Sequence, residues 1–132
     1  MHFLSKMQNL NKISINQGII VMAIMHLKEE PFNSIKNGTK TIEMRLFDEK
    51  RQQLKIGENI KFINDKTGEE LLTQIVNLHK FNSFGELYKN FDKIKLGYKE
   101  REVAKSSDML KYYPQSEQQK YGVVGIEIKL IK

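Results

Sequence analysis

Asn37-Gly38-Thr39-Lys40-Thr41-Ile42-Glu43-Met44-Arg45-Leu46 sets a glycine, a lysine, a glutamate and an arginine within eight positions. The spacing predicts a short helix giving way to a strand at this point. Pro31 to Asn37 reads as the helix, because proline suits a first turn where its missing N–H is not needed, and Gly38 can take the left-handed backbone that ends a helix. Beyond it, Ile42, Met44 and Leu46 alternate with Thr41, Glu43 and Arg45, the period of a half-buried strand. One face is apolar, and the other carries a hydroxyl, a carboxylate and a guanidinium in a row. Such a row is either a solvated face bearing a Glu–Arg pair, which contributes little stability, or one wall of a site. Lys40 has the opposite parity to Glu43 and Arg45, so it joins them only if the chain bends or bulges nearby. In that arrangement Arg45 offers a planar fork for a phosphate or a carbonyl edge, and Lys40 a point charge.

Outward from this stretch, the run from Ile19 to about Leu27 reads as a first strand. It is too short to cross a membrane and has no small-residue cleavage site behind it. Residues 1–18 are polar and asparagine-rich, and are expected to form a mobile extension ahead of a domain at 19–132. A translation start at Met22 or Met25 would remove that extension. Ile60 and Phe62 mark a short strand, Asn64-Asp65-Lys66-Thr67-Gly68 a hairpin loop, and Glu70 to Lys80 a returning strand with Leu72, Val76 and Leu78 on one side. Ser83-Phe84-Gly85-Glu86 is a capping box whose helix carries Phe84, Leu87 and Phe91 inward. Tyr98 to Lys111 reads as two short helical pieces, the second capped at Ser106-Ser107-Asp108, and Ser116 to Lys120 as another turn. The last strand alternates cleanly, with Val124, Ile126, Ile128 and Leu130 inward. Strands interrupted by helices at unequal spacing argue against a doubly wound sheet. The expected fold is α+β: a small, mostly antiparallel five-stranded β-barrel with short helices at its rim.

At 132 residues the chain is one domain, long enough for a core without staples. With no cysteine, thiolate metal sites, disulfides and a cysteine nucleophile are excluded, and a reducing cytoplasm is compatible. The formal charge of +6 leans towards an anionic partner, nucleic acid above all. Lys6 and Lys12 give residues 1–21 a charge of +2, so the remainder carries +4. Any basic patch must therefore be assembled by folding. His26 and His79 lack the paired spacing of a metal site, and no metal or cofactor is expected. Tyr98, Tyr112, Tyr113 and Tyr121 either stack on bases or bury their rings in the core.

Gly38, Lys40, Glu43 and Arg45 fit the spacing G-x-K-x-x-E-x-R, which resembles the signature of ASCH domains, relatives of the PUA RNA-binding barrel. Leu46 to Arg51, Ile56-Gly57-Glu58 and Lys120 to Ile128 are similar to the small single-domain prokaryotic members, so the resemblance runs from about Met22 to the C-terminus. It implies a PUA-like barrel with RNA, a nucleotide or a nucleoside as partner, held in a basic cleft. The expected ligand-binding set is Gly38, Lys40, Thr41, Glu43, Arg45, Tyr98, Glu100 and Tyr113, with the Lys40 amine beside Glu43 in a concave pocket. One bacterial subgroup of the family hydrolyses the acetyl group of N4-acetylcytidine, and the resemblance maps its catalytic lysine onto Lys40. Where that subgroup has a threonine nucleophile this chain has Glu43, and its third catalytic residue, a glutamate, corresponds to Glu100 or Glu102. The alternative to a binding module is thus a small hydrolase of RNA or of an acylated cytidine, with Lys40 as base or activated amine and Glu43 as proton carrier. A protein-binding accessory domain is a third reading.

Overall fold

The structure, a computed structural model, describes residues 10–15 and 18–131, with side-chain surroundings from residue 22 onward. Strand β1 (Leu10–Ile15) leads into β2 (Gly18–Leu27), helix α1 (Glu29–Lys36) and β3 (Ile42–Leu46). Then come β4 (Asn59–Asn64), β5 (Glu70–Phe81), α2 (Phe84–Asn90), α3 (Gln115–Tyr121) and β6 (Val123–Leu130), with 3-10 turns at Arg51–Gln53 and Ser106–Lys111. The strands form one sheet in the order β1-β2-β4-β5-β6-β3.

Five of these strands make a mixed half-barrel; the sheet is mostly antiparallel, as expected, with one parallel pairing among the described strands. β2 and β4 run parallel, with Met22 opposite Asn59 and Leu27 opposite Asn64. The cause lies in the connection: α1 and β3 intervene, and a crossover of that length returns the chain in the same direction, which a tight hairpin cannot. A sixth strand comes from the stretch read as an extension. β1 pairs antiparallel with β2, placing Leu10 opposite Ala23 and Ile15 opposite Gly18. The mobility expected for residues 1–9 and 16–17 lies outside the described residues.

Strand β5 serves two cores because it changes phase halfway. Its register to β6 shifts between Ile75 and Asn77, so Ile75 faces Ile128 and Asn77 faces Glu127. Val76 is the extra residue of a bulge. Before it the odd positions Thr73 and Ile75 are buried, and Leu72 and Val76 are exposed. After it Leu78 packs inward with Ile126, and Phe81 packs on the other side. The expectation that Leu72, Val76 and Leu78 share one face therefore fails at the bulge.

The first core fills the concave side of the sheet with Met25, Phe62, Ile75 and Ile126, closed by Phe32 and Ile35 of α1. The second lies outside β3 and β6, where Ile42, Met44, Leu46 and Val123 meet Phe84, Leu87, Leu96 and Met109. α2 is held over it by its N-cap, for the Glu86 amide donates to Ser83 Oγ at 3.2 Å. The Glu86 carboxylate accepts from the Asn82 amide at 3.3 Å, one residue earlier than a full capping box requires. Residues 98–105 do not form the first of the two expected helical pieces. Lys93 Nζ instead donates to the carbonyls of Glu100 and Glu102, at 2.6 and 2.7 Å. Those acceptors are thereby diverted from a helix.

Candidate functional site

Because Ile42, Met44 and Leu46 face the outer core, the alternate residues of β3 face the concave side. Glu43 lies opposite Ile126 and Arg45 opposite Val124, both members of the inner core. The polar face of this strand is thus an interior wall and not a solvated surface: the Glu43 and Arg45 side chains are 5% and 15% exposed.

Lys40 reaches them from before the strand. α1 ends at Asn37, and Gly38 adopts φ +89°, a left-handed turn that glycine makes without a Cβ clash. The Lys40 amide folds back to donate to the Ser34 carbonyl at 3.0 Å. The Thr41 and Ile42 amides both donate to the Lys95 carbonyl, each at 3.0 Å, which ties the start of β3 to the 92–98 turn. The parity conflict is resolved because Lys40 is not part of the strand. Its Nζ donates to Glu43 Oε1 at 2.8 Å, while Arg45 Nε donates to Glu43 Oε2 at 2.7 Å. One carboxylate thus divides its two oxygens between two cations.

Burial alone would push the Glu43 carboxyl up, but the Lys40 ammonium and then the Arg45 guanidinium outweigh it and hold the group at about 2, below its ordinary 4.5. Burial likewise disfavours the Arg45 charge, and Glu43 reverses that, so the guanidinium is held more firmly than usual. Arg45 Nη2 donates to the His26 carbonyl at 3.3 Å, stitching β3 to the end of β2 across the open side of the half-barrel. Its Nη1 has no partner among the described residues.

These groups line a cavity of about 330 Å³ whose other walls include Lys28, Pro31, Met109, Tyr112 and Tyr113. Tyr113 stacks on Phe84 with ring centroids 5.8 Å apart, which seats it on the outer core. Its hydroxyl is pushed up by burial, partly offset by Arg45, so at neutral pH it stays protonated and can donate a hydrogen bond. Tyr112 is half exposed and has the Lys28 and Lys111 amines 5.9 and 5.3 Å from its ring centre. At the lip, His26 Nδ1 meets Asp65 Oδ1 at 2.9 Å.

Of the residues singled out from the sequence, Lys40, Glu43, Arg45 and Tyr113 share this cavity. Gly38 shapes the turn and Thr41 anchors the strand, its carbonyl accepting from the Ile128 amide at 2.9 Å. Neither lines the cavity. Tyr98 is spent on the scaffold, its hydroxyl 2.7 Å from both Tyr88 Oη and Asp108 Oδ2. Glu100 is exposed, and Glu102 accepts from the Lys99 amide. His79 pairs with Glu127 at 2.8 Å, away from the site. Lys28, Asp65 and Met109 had no local signal, since they come from the ends of β2 and β4 and from the late 3-10 turn.

Gly97 was equally silent and matters most of these. It sits at φ +107°, and a Cβ there would lie 3.0 Å from Lys40 Cδ and 3.6 Å from Nζ. The stem of Lys40 therefore lies against bare backbone. Gly97→Ala is expected to cost about 1–3 kcal/mol through the disfavoured backbone alone, and to displace the lysine as well. Gly85→Ala is the control, since α2 is helical there and the nearest atom is 3.5 Å away. It should gain up to about 1 kcal/mol. Urea denaturation of both variants checks the contrast, and equal behaviour would refute the close approach.

Among the described residues no cluster of His, Asp and Glu could hold a metal ion, and no helix is long and apolar enough to cross a membrane. A mixed α+β half-barrel with short helices is consistent with the PUA-like fold class. Within that class the chain belongs to the ASCH domain family, whose model matches residues 25–132. The crystal structure of the hypothetical protein PH0355 superposes with a TM-score of 0.69 at 33% identity, over 82% of this chain and 97% of that one. Protein PF0455 from Pyrococcus furiosus, solved by solution NMR, gives 0.68 at 31% identity, over 84% and 98%. The ASCH protein from Zymomonas mobilis gives 0.57 at 12% identity, over 82% and 66%, a likeness of fold. No curated protein matches the chain significantly.

Proposed function

We propose that this domain binds single-stranded RNA or a nucleotide, with one base and its phosphate in the cavity walled by Lys40, Glu43 and Arg45. The observation that carries this reading is the Arg45 guanidinium. It is largely buried, oriented by Glu43 and His26, and its Nη1 has no partner among the described residues, at a cavity lined by two tyrosines. A fixed guanidinium with free donors is suited to a phosphate or a base carbonyl, and the Tyr112 and Tyr113 rings offer faces for stacking. The cavity is at the small end of ligand sites, the size for one nucleoside rather than a folded partner. Three cations against two carboxylates keep its walls positive.

Hydrolysis of RNA or of an N4-acylated cytidine is the competing reading, and the site argues against its simplest form. A carboxylate held at about 2 by two cations is a fixed anion at neutral pH, not a proton carrier. Thr41, the nearest hydroxyl in sequence, is not on the cavity wall. Fluorescent single-stranded RNA titrated at ~50 and ~200 mM salt tests the binding reading. With about three phosphates contacted, affinity should fall by roughly tenfold or more between the two. Absence of binding at both concentrations would remove the nucleic-acid reading altogether.

A further inference from the structure

A second cavity, of about 610 Å³, opens where β3, β5 and α3 end, lined by Phe47, Lys80, Phe81, Lys120, Tyr121 and Glu86 among others. Its two lysines are held in an unusual way. Lys80 Nζ lies 4.8 Å from the centre of the Phe47 ring, and Lys120 Nζ lies 5.0 Å from that of Tyr121. Neither amine has a carboxylate partner among the described residues, whereas Lys36, Lys61, Lys66 and Lys99, and Lys40 inside the first cavity, are each paired with a glutamate. Glu86 is the carboxylate of this cavity, and it accepts from the Asn82 amide.

Four lysine-over-ring contacts occur among the described residues, and every one of those rings lines one of the two cavities. A ring face attracts an ammonium without cancelling its charge. It therefore holds the amine in place while leaving it free to meet an anion. An ion pair with glutamate would also hold the lysine but would spend its charge. The distribution is what a path for a polyanion needs: placed cations, not neutralised ones.

The two linings also lie close together along the chain. Arg45 lines the first and Phe47 the second, two residues further along the chain, about 7 Å at a strand's rise. On the opposite side Tyr112 and Tyr113 precede α3 and line the first, whereas Gln119 to Gly122 at its other end line the second. A helix of seven residues spans about 10 Å. We infer that the second cavity is a further subsite for the same single strand, taking the neighbouring phosphates on Lys80 and Lys120, whose amines Phe47 and Tyr121 hold in place. This rests on the reading of the first cavity as an RNA or nucleotide site.

The test compares a nucleoside monophosphate with an eight-nucleotide single-stranded RNA on the full chain and on the double variant Lys80→Ala/Lys120→Ala. The octamer should bind the wild-type chain more tightly than the mononucleotide. In the double variant its affinity should fall about tenfold, and its salt slope should drop by about 1.4, the loss of two phosphate contacts. Mononucleotide affinity should change far less. Lys129→Ala, on the exposed outer face of β6, should alter neither. If the octamer binds but the double variant keeps both its affinity and its slope, the second subsite is refuted and the first stands. If neither ligand binds the wild-type chain, both fall together. Circular dichroism melting of the double variant guards against a folding defect, and Lys80→Gln/Lys120→Gln should reproduce the lost slope.

Discussion

Replacing Glu43 by alanine should destabilise the domain by about 3–5 kcal/mol, because it strands two buried cations without their counter-charge. The ammonium of Lys40 and the guanidinium of Arg45 both point at this one carboxylate, at 2.8 and 2.7 Å. For a chain of this size the loss corresponds to roughly 10–20 °C in melting temperature. The same group predicts the direction of the acid response. Its folded-state pKa, about 2, lies below the ordinary 4.5, so its contribution is present above pH 4.5 and is lost as the pH falls through 2. Urea denaturation between pH 7 and 2 would show wild-type stability declining in that window, with a shallower decline in Glu43→Gln. A variant less than 1 kcal/mol weaker, with an unchanged acid profile, would mean that the carboxylate is not the buried hub described above.

Charge reversal of Arg45 should have the largest effect on ligand binding. Arg45→Glu removes the guanidinium and sets a second carboxylate against Glu43. Truncating one partner of a buried, hydrogen-bonded charge pair costs 2–5 kcal/mol, so RNA affinity should fall by about 100-fold. Lys129→Glu changes the net charge equally but lies exposed on the outer face of β6, and its effect should stay within about threefold. The comparison separates a local site from a general attraction between a basic protein and an acid polymer. Arg45→Lys, which keeps the charge and loses the fork, guards against a folding defect and should still cost about tenfold. Equal losses at positions 45 and 129 would locate the binding in net charge and not in this cavity.

Much of this arrangement is legible in the chain itself, wherever the signal is local. The alternation from Ile42 to Leu46 marks β3, that from Val124 to Leu130 marks β6, and Gly38 marks the end of α1. The motif spacing brought Lys40, Glu43 and Arg45 together because all three lie on one turn and one strand. What failed to show was set by partners distant in sequence. Which face of β3 is interior depends on the outer core built by Phe84, Leu87 and Met109. The parallel pairing of β2 with β4 depends on where β3 is displaced to. Gly97 reads as an ordinary loop glycine until the stem of Lys40 is laid across it. Tyr98 and Tyr113 are equivalent as letters, yet one is consumed by Asp108 and the other faces Arg45.

The single extra residue at Val76 decides which layer each part of β5 supports. Since β5 gives its first half to the inner core and part of its second half to the outer one, neither layer can open without loosening the strand that the other stands on. Without the bulge Phe81 would turn towards the inner core and Leu78 towards the outer one, so the core under α2 and the late 3-10 turn would lose the ring that β5 contributes. The segment carrying Met109, Tyr112 and Tyr113 would then breathe separately from the sheet. With the bulge, hydrogen exchange in the segment carrying Met109 and Tyr113 is expected to follow that of the central strands, so that this wall of the cavity opens with the sheet and not on its own.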